Sequence, residues 1–327
     1  MDGVVNLTSY SMENLSDCPS IEGFRNKVYC WSYSIITALG LLGNGLVLVV
    51  LLRTYRQNSP FNIYMLNLAL SDLLCVCTLP MRILYYLNQG HWLLGDFLCR
   101  VGSYALYVNL YCSIFFMAAM SVTRFLAVSY PVKSLHIMTR GRARHVCLAV
   151  WAVICLLSSP FLMSGQHLDP VTNKTKCFEP PRGQRLQKLV TLNYVSLLIG
   201  FVLPFALILL CYSGIIRTLL TRKLASRSTA DTKAIRMIVI VLLTFLVSFT
   251  PYHVQRTVHL HFLSRAGTSC RERVAMHKSV VVTLSLAAAN SCFDPLLYFF
   301  SGGGFRSRLS SVFRPEQSSG HTRCCGP

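Results

Sequence analysis

The sequence predicts an all-α membrane protein, a seven-transmembrane helix bundle followed by a short amphipathic helix 8. Three observations predict it. Charged residues make up only 13% of the 327 residues and hydrophobic ones 53%, with a mean hydropathy of +0.48, whereas soluble domains average roughly a quarter charged. Seven apolar runs, Val28–Leu52, Phe61–Tyr86, Phe97–Val128, Val146–Met163, Leu189–Leu220, Ile235–Leu263 and Ser279–Phe300, are long enough to span a bilayer, which takes about 20 helical residues for ~30 Å of hydrocarbon. The formal net charge of +19 gathers at the ends of those runs, as membrane-edge anchors do. It does not form the continuous basic stripe of a nucleic-acid binder, so no nucleic acid is expected as a partner.

Taken in order, residues 1–27 read as an extracellular, glycosylated segment, 28–302 as the bundle and 303–327 as a cytoplasmic tail. Met1 to Lys27 contains no apolar h-region, so no cleavable signal peptide is expected. Asn6, Asn14 and Asn173 each open a glycosylation sequon, which places the N-terminus outside. Continuous apolar runs favour helices, because each backbone polar group is then satisfied within its own segment. The alternation of a β-barrel is not seen. Inner connections carry Arg53, Arg56, Lys133, Arg140, Arg142, Arg144 and the stretch Arg217 through Arg236, with few acids beyond Asp231 and Glu316, as the positive-inside rule requires. Outer segments are basic too, with Lys174, Lys176, Arg182, Arg185, Lys188, Arg265, Arg271, Arg273 and Lys278. After the seventh run, Phe305, Leu309, Val312 and Phe313 alternate with Arg306, Arg308 and Arg314, the pattern of a helix lying on the inner leaflet among membrane lipids. No internal repeat suggests a transporter of inverted halves, and no filter loop suggests a channel.

Cys75, Cys77, Cys112, Cys147, Cys155, Cys211 and Cys292 fall inside spans and read as small buried apolar residues. Cys18, Cys99, Cys177 and Cys270 fall on the oxidising side, an even number suited to two bridges with three connectivities open. Cys324 and Cys325 in the tail are either palmitoylated or plain thiols.

Polar residues within spans are costly and point to function. Asp72 and Asp294, with Asn44, Ser113 and Asn290 at matching depth, form either a hydrated cluster able to hold a small cation such as sodium, with Asp72 as ligand, or a structural hydrogen-bond network. Arg82 and Arg256 lie near the outer interface, where guanidinium either grips a carboxylate through two parallel hydrogen bonds or snorkels to headgroups. Tyr104, Tyr107 and Tyr111 recur at helical spacing, as do Phe245, Phe249, Tyr252 and Arg256; each set shares a face, lining a site or simply packing. Pro251 removes the backbone bond to Val247 and bends its helix. Two intramembrane aspartates raise the alternative of an aspartyl protease, but Asp294 precedes a proline instead of sitting in a Gly-flanked motif. No enzyme is expected.

Gly43-Asn44, Leu68-Ala69-Leu70-Ser71-Asp72-Leu73, Trp151, Pro204, Tyr212, Phe249-Thr250-Pro251-Tyr252 and Asp294-Pro295-Leu296-Leu297-Tyr298 occur in order and in the appropriate spans. Over about Val28 to Phe313 the chain resembles the rhodopsin-class G-protein-coupled receptors. Two departures stand out: Thr123-Arg124-Phe125 lacks the usual acid before the arginine, and Phe249 replaces the usual tryptophan. More narrowly, Leu74-Cys75-Val76-Cys77-Thr78-Leu79-Pro80, Tyr104 to Tyr111, Lys176-Cys177-Phe178-Glu179-Pro180-Pro181 and Pro251-Tyr252-His253 to His259-Leu260-His261 resemble the cysteinyl leukotriene receptors, the type 1 branch above all.

That resemblance implies a plasma-membrane receptor for cysteinyl leukotrienes, the D and C forms favoured, that couples through the heterotrimeric G protein Gq/11 to phospholipase C and calcium. Arrestin and receptor kinases would be further partners. It implies the bridges Cys99–Cys177 and Cys18–Cys270. The implied ligand residues are Arg82, Tyr104, Tyr107, Tyr111, Tyr252, His253 and Arg256, with a positive mouth that concentrates an anion. The implied switch and coupling residues are Arg124, Tyr212, Phe245, Phe249, Pro251 and Tyr298. No cofactor is implied beyond a sodium ion and the lipid ligand itself. The alternative ligand is another anion, a nucleotide or a different lipid mediator. Retinal is disfavoured because no lysine lies between Ser279 and Phe300, and amines because Leu106 stands where amine receptors carry an acid.

Overall fold

The computed structural model describes residues 19–53, 59–163, 165–170, 172–178, 186–221, 229–263 and 268–301. Seven helical spans run Glu22–Arg53, Pro60–Leu87, Gly95–Ser129, Arg140–Met163, Val190–Thr221, Ala234–Leu263 and Cys270–Phe300. All seven apolar runs are helical over nearly their whole length, and several helices extend past them. The fourth starts at Arg140, where the Thr139 side chain accepts from the Arg142 N–H. The seventh starts at Cys270 on a capping box of Ser269 and Glu272. Such first turns are polar, and capping rather than hydrophobicity fixes them, so apolar length alone places these starts too late. Among the described residues a further helix and two strands join the bundle. A short helix, Pro131–Ile137, follows the third span, and strand β1, His167–Asp169, pairs antiparallel with β2, Lys174–Lys176. Helix 8, the tail cysteines Cys324 and Cys325, the sequons at Asn6 and Asn14, and Cys18 lie outside the described residues.

The third span is the central post. Ile114, Phe116, Met117 and Met120 along it are fully buried, while Trp31, Leu42, Leu156 and Leu210 on other spans are exposed. Large apolar side chains facing outward are at ease only in a hydrocarbon solvent. Polar groups are turned inward, where they join spans: the Trp151 indole N–H donates to Asn67 Oδ1 at 3.0 Å.

Prolines shape the spans, and each one past the first turn leaves a carbonyl without its usual helical donor. The second span breaks at Cys77–Thr78, just before Pro80, so that Pro60–Val76 and Leu79–Leu87 form separate helices. In the fifth span the stretch Leu198–Val202 widens into π-helix before Pro204. The sixth widens likewise over Phe245–Phe249 before Pro251. In the seventh, Pro295 supplies no N–H to Ser291, and the Ser291 carbonyl accepts instead from Asn44 Nδ2 at 2.8 Å. Gly43 is required at this crossing, because a Cβ there would stand 2.8 Å from the Pro295 ring.

Candidate ligand site and its link to the core

At the outer half of the bundle, Arg256 is held over phenols from two spans. Its Nη1 donates to the Tyr252 hydroxyl at 3.0 Å, one helical turn below. Its guanidinium carbon lies 5.7 Å from the centre of the Tyr107 ring, within cation–π range. Tyr107 is itself fixed by stacking on Phe161 of the fourth span, with centres 3.6 Å apart. Tyr111, one turn deeper, is buried against Gly200, where a Cβ would come within 2.6 Å of the phenol ring. The π-widened turn and its glycine thus make the slot that Tyr111 fills. The Tyr111 hydroxyl is buried and makes no hydrogen bond among the described residues. A half-buried guanidinium held over phenols can receive an anionic group through its remaining N–H donors.

Tyr104, like Tyr107, meets the fourth span. Its hydroxyl donates to the Cys155 carbonyl at 3.0 Å, bracing the third span against the fourth instead of facing Arg256. Pro160 explains why. It offers no N–H to Leu156, so the Ser159 N–H turns to the Leu156 carbonyl and the helix tightens into a 3₁₀ turn at Ser159–Met163. The Cys155 carbonyl is thereby released for Tyr104.

Arg82 has different partners from Arg256. It is 3% exposed, donates to the Gly102 carbonyl at 3.1 Å and lies 3.9 Å from the centre of the Phe178 ring. Phe178 adopts a left-handed φ of 65° directly after Cys177, which is bridged to Cys99. Arg82 therefore joins the outer connection to the second and third spans. Cys270 is also in a disulfide; its expected partner, Cys18, is among the residues not described. Lys176, read from sequence as part of the basic mouth, is buried and pairs with Glu22 at 3.5 Å, so its charge is spent tying the first span to β2. Asn173 is exposed at the hairpin turn with a φ of 51°.

His253 is 2% exposed and stacks on Phe201 with centres 4.6 Å apart, with Tyr111 6.0 Å away. From there an aromatic chain descends. Phe201 stacks on Phe205 and on Phe245, at 5.7 and 6.1 Å, and Phe245 meets Phe249 edge-on at 5.1 Å. The two π-widened turns face each other through these rings. His253 packs at the head of this chain, beneath the Arg256 group.

A small cavity bounded by Tyr107, Tyr252, Leu284 and Asn109 separates that group from a polar network. Asp72 Oδ1 accepts from Asn109 Nδ2 at 2.7 Å and from Ser291 Oγ at 3.0 Å. Neither Asn109 nor Ser291 was singled out from the sequence, because a lone Asn or Ser in an apolar run gives no sign of which neighbour it meets. Asp294 adjoins Asp72 and Ser113. Asp72 Oδ2, Ser113 Oγ, Asn290 Oδ1 and both Asp294 oxygens are buried and make no hydrogen bond among the described residues. Hard oxygen donors around two adjacent carboxylates fit a small monovalent cation.

At the inner end, Arg124 lies 4.1 Å from the centre of the Phe61 ring. Thr123 donates to its own helix at the Ala119 carbonyl, 2.8 Å away, and so does not replace the acid that would grip Arg124. Tyr212 accepts from Ser121 Oγ at 2.8 Å, and Tyr298 is buried.

Comparison with known proteins gives consistent matches. The family model "7 transmembrane receptor (rhodopsin family)" matches residues 43–298. Cysteinyl leukotriene receptor 1 of Homo sapiens is 53% identical over 321 residues, covering 98% of this chain and 94% of that protein. The same receptor of Sus scrofa is 52% identical over 320 residues, covering 98% and 94%. Cysteinyl leukotriene receptor 2 of Homo sapiens is 41% identical over 324 residues, covering 98% and 91%.

Proposed function

We propose, from the premise that the chain belongs to the rhodopsin family of seven-transmembrane receptors and is no enzyme, that it is a plasma-membrane receptor for cysteinyl leukotrienes. The observation that carries the reading is Arg256 held over Tyr252 and Tyr107. A guanidinium has five N–H donors, and one of them is used on Tyr252, leaving a fork for the carboxylates of a peptide-conjugated lipid. The apolar tail would lie among the aromatic side chains beneath.

Binding shifts the receptor toward a state already within its ensemble. The sixth span carries both the ligand arginine and, below Pro251, the Phe245–Phe249 π-turn. Tilting its outer half swings its inner end outward. Arg124, Tyr212 and Tyr298 then form the G-protein contact, Tyr212 leaving Ser121. A sodium ion held by Asp72 with Ser113, Asn290 and Asp294 would supply countercharge to the paired carboxylates and favour the closed form. The N-terminus is extracellular, the D and C leukotrienes are the preferred agonists, and coupling runs through Gq/11 to phospholipase C and calcium. Arrestin and receptor kinases are the further partners.

The test is calcium release in transfected cells challenged with D and C leukotrienes and, separately, with uracil and adenine nucleotides. Leukotriene responses that vanish in cells lacking Gq/11 are expected. Response to nucleotides with silence to leukotrienes refutes the reading.

A further inference from the structure

We infer a zinc-binding site at the outer ends of the sixth and seventh spans, held by His259 and His277. His259 lies one turn above Arg256 on the sixth span, and His277 lies on the seventh. A zinc ion about 2.0–2.1 Å from each imidazole nitrogen, with a tetrahedral angle between them, sets the two ring centres about 5 Å apart. The rings of His259 and His277 stand 5.4 Å apart at an interplanar angle of 78°. The separation of the ring centres is thus close to that of two imidazoles on one zinc ion.

The state of the two rings fits a metal. His277 Nδ1 lies 2.8 Å from the Arg273 carbonyl. A carbonyl only accepts, so Nδ1 carries the proton and Nε2 of the neutral ring keeps its lone pair. Metal-bound histidines are oriented by such a bond from the ring nitrogen that does not bind. His259 Nδ1 is buried and has no hydrogen-bond partner among the described residues. The neighbouring His261 is occupied elsewhere, with Nε2 at 2.6 Å from the Tyr194 hydroxyl.

The nearby cations oppose an ion, but their charged heads have other partners. Arg273 Nε donates to Thr268 Oγ1 at 2.9 Å, the Lys278 ammonium lies 5.3 Å from the centre of the Phe24 ring, and Arg256 points down to Tyr252. His277 is exposed, so an ion reaches the pair from water. No third His, Cys, Asp or Glu completes the set among the described residues, so water fills the other positions. The site is reversible and modulatory, not a structural zinc centre. Its effect is to fasten the outer ends of two spans together above the ligand mouth.

The experiment titrates the purified full-length receptor in detergent with zinc chloride. Bound zinc is read by competition with a fluorescent zinc indicator, alongside thermal unfolding. Zinc is expected to bind at one site per receptor and raise the unfolding temperature, since a ligand of the folded state alone stabilises it. H259Q and H277Q should each weaken binding by about tenfold or more, and H261Q should leave it unchanged. Equal zinc binding by H277Q and the unsubstituted receptor overturns the inference, as does an absence of saturable binding. His277 is exposed, so H277Q keeps the test decisive should H259Q fail to fold. Neither readout involves a leukotriene, so failure here is distinct from failure of the proposed ligand.

Discussion

Replacing Arg256 by alanine is expected to weaken agonist binding by about 10- to 150-fold. In the free receptor the guanidinium makes one hydrogen bond, 3.0 Å to Tyr252, and lies over the Tyr107 ring. On the proposed reading, its remaining N–H groups meet the incoming carboxylate. A charge-assisted hydrogen bond in such a partly buried place contributes about 1.5–3 kcal/mol, and each 1.4 kcal/mol is a factor of ten in affinity. The loss is thus roughly 12- to 140-fold, before counting the Tyr252 hydroxyl, which is buried and would lose its partner. Lysine keeps the charge but loses the planar fork, so R256K should recover only part of the affinity. The assay is displacement of radiolabelled leukotriene D from cell membranes, normalised to receptor at the surface. Affinity of R256A within about threefold of the unsubstituted receptor, a difference of under ~0.7 kcal/mol, would refute the assignment of Arg256 as the anion anchor.

Arg82 should behave differently. It is buried between Phe178 and the Gly102 carbonyl, so R82A should lower the unfolding temperature and surface expression, removing a cation–π contact of about 1–2 kcal/mol and opening a cavity. A loss of affinity at full stability would instead make it a direct ligand contact. G200A should drive the Tyr111 ring from its slot, because the added Cβ falls 2.6 Å from it; agonist potency in the calcium assay should drop, while expression falls less. N44A leaves the Ser291 carbonyl, freed by Pro295, without a donor in a buried place, at a cost of about 1–3 kcal/mol in thermal stability. D72N should abolish any slowing of agonist binding by sodium, measured against a matched potassium buffer.

The seven spans were legible because a bilayer core demands about 20 apolar residues per helix, a requirement written in composition alone. Helix ends were less so: Ser269 and Glu272 hold the start of the seventh span through hydrogen bonds, not hydropathy. The intramembrane Asp72 and Asp294 announced a polar centre, because an acid in an apolar run needs a reason. Their partners Asn109 and Ser291 did not, since Asn and Ser are common and only packing shows what they touch.

Residue type and spacing by themselves determined the membrane class, the number of spans and the family, because each rests on local patterns that no neighbour can alter. They also marked two arginines and a row of tyrosines. Only the tertiary structure separated them. It sent Arg82 to a carbonyl and a ring in the outer connection, and Tyr104 to a carbonyl released by Pro160. It left Arg256 over phenols at the mouth. The physical reason is that a long polar side chain goes to whichever unsatisfied partner lies within reach, and prolines on other spans decide where those partners are.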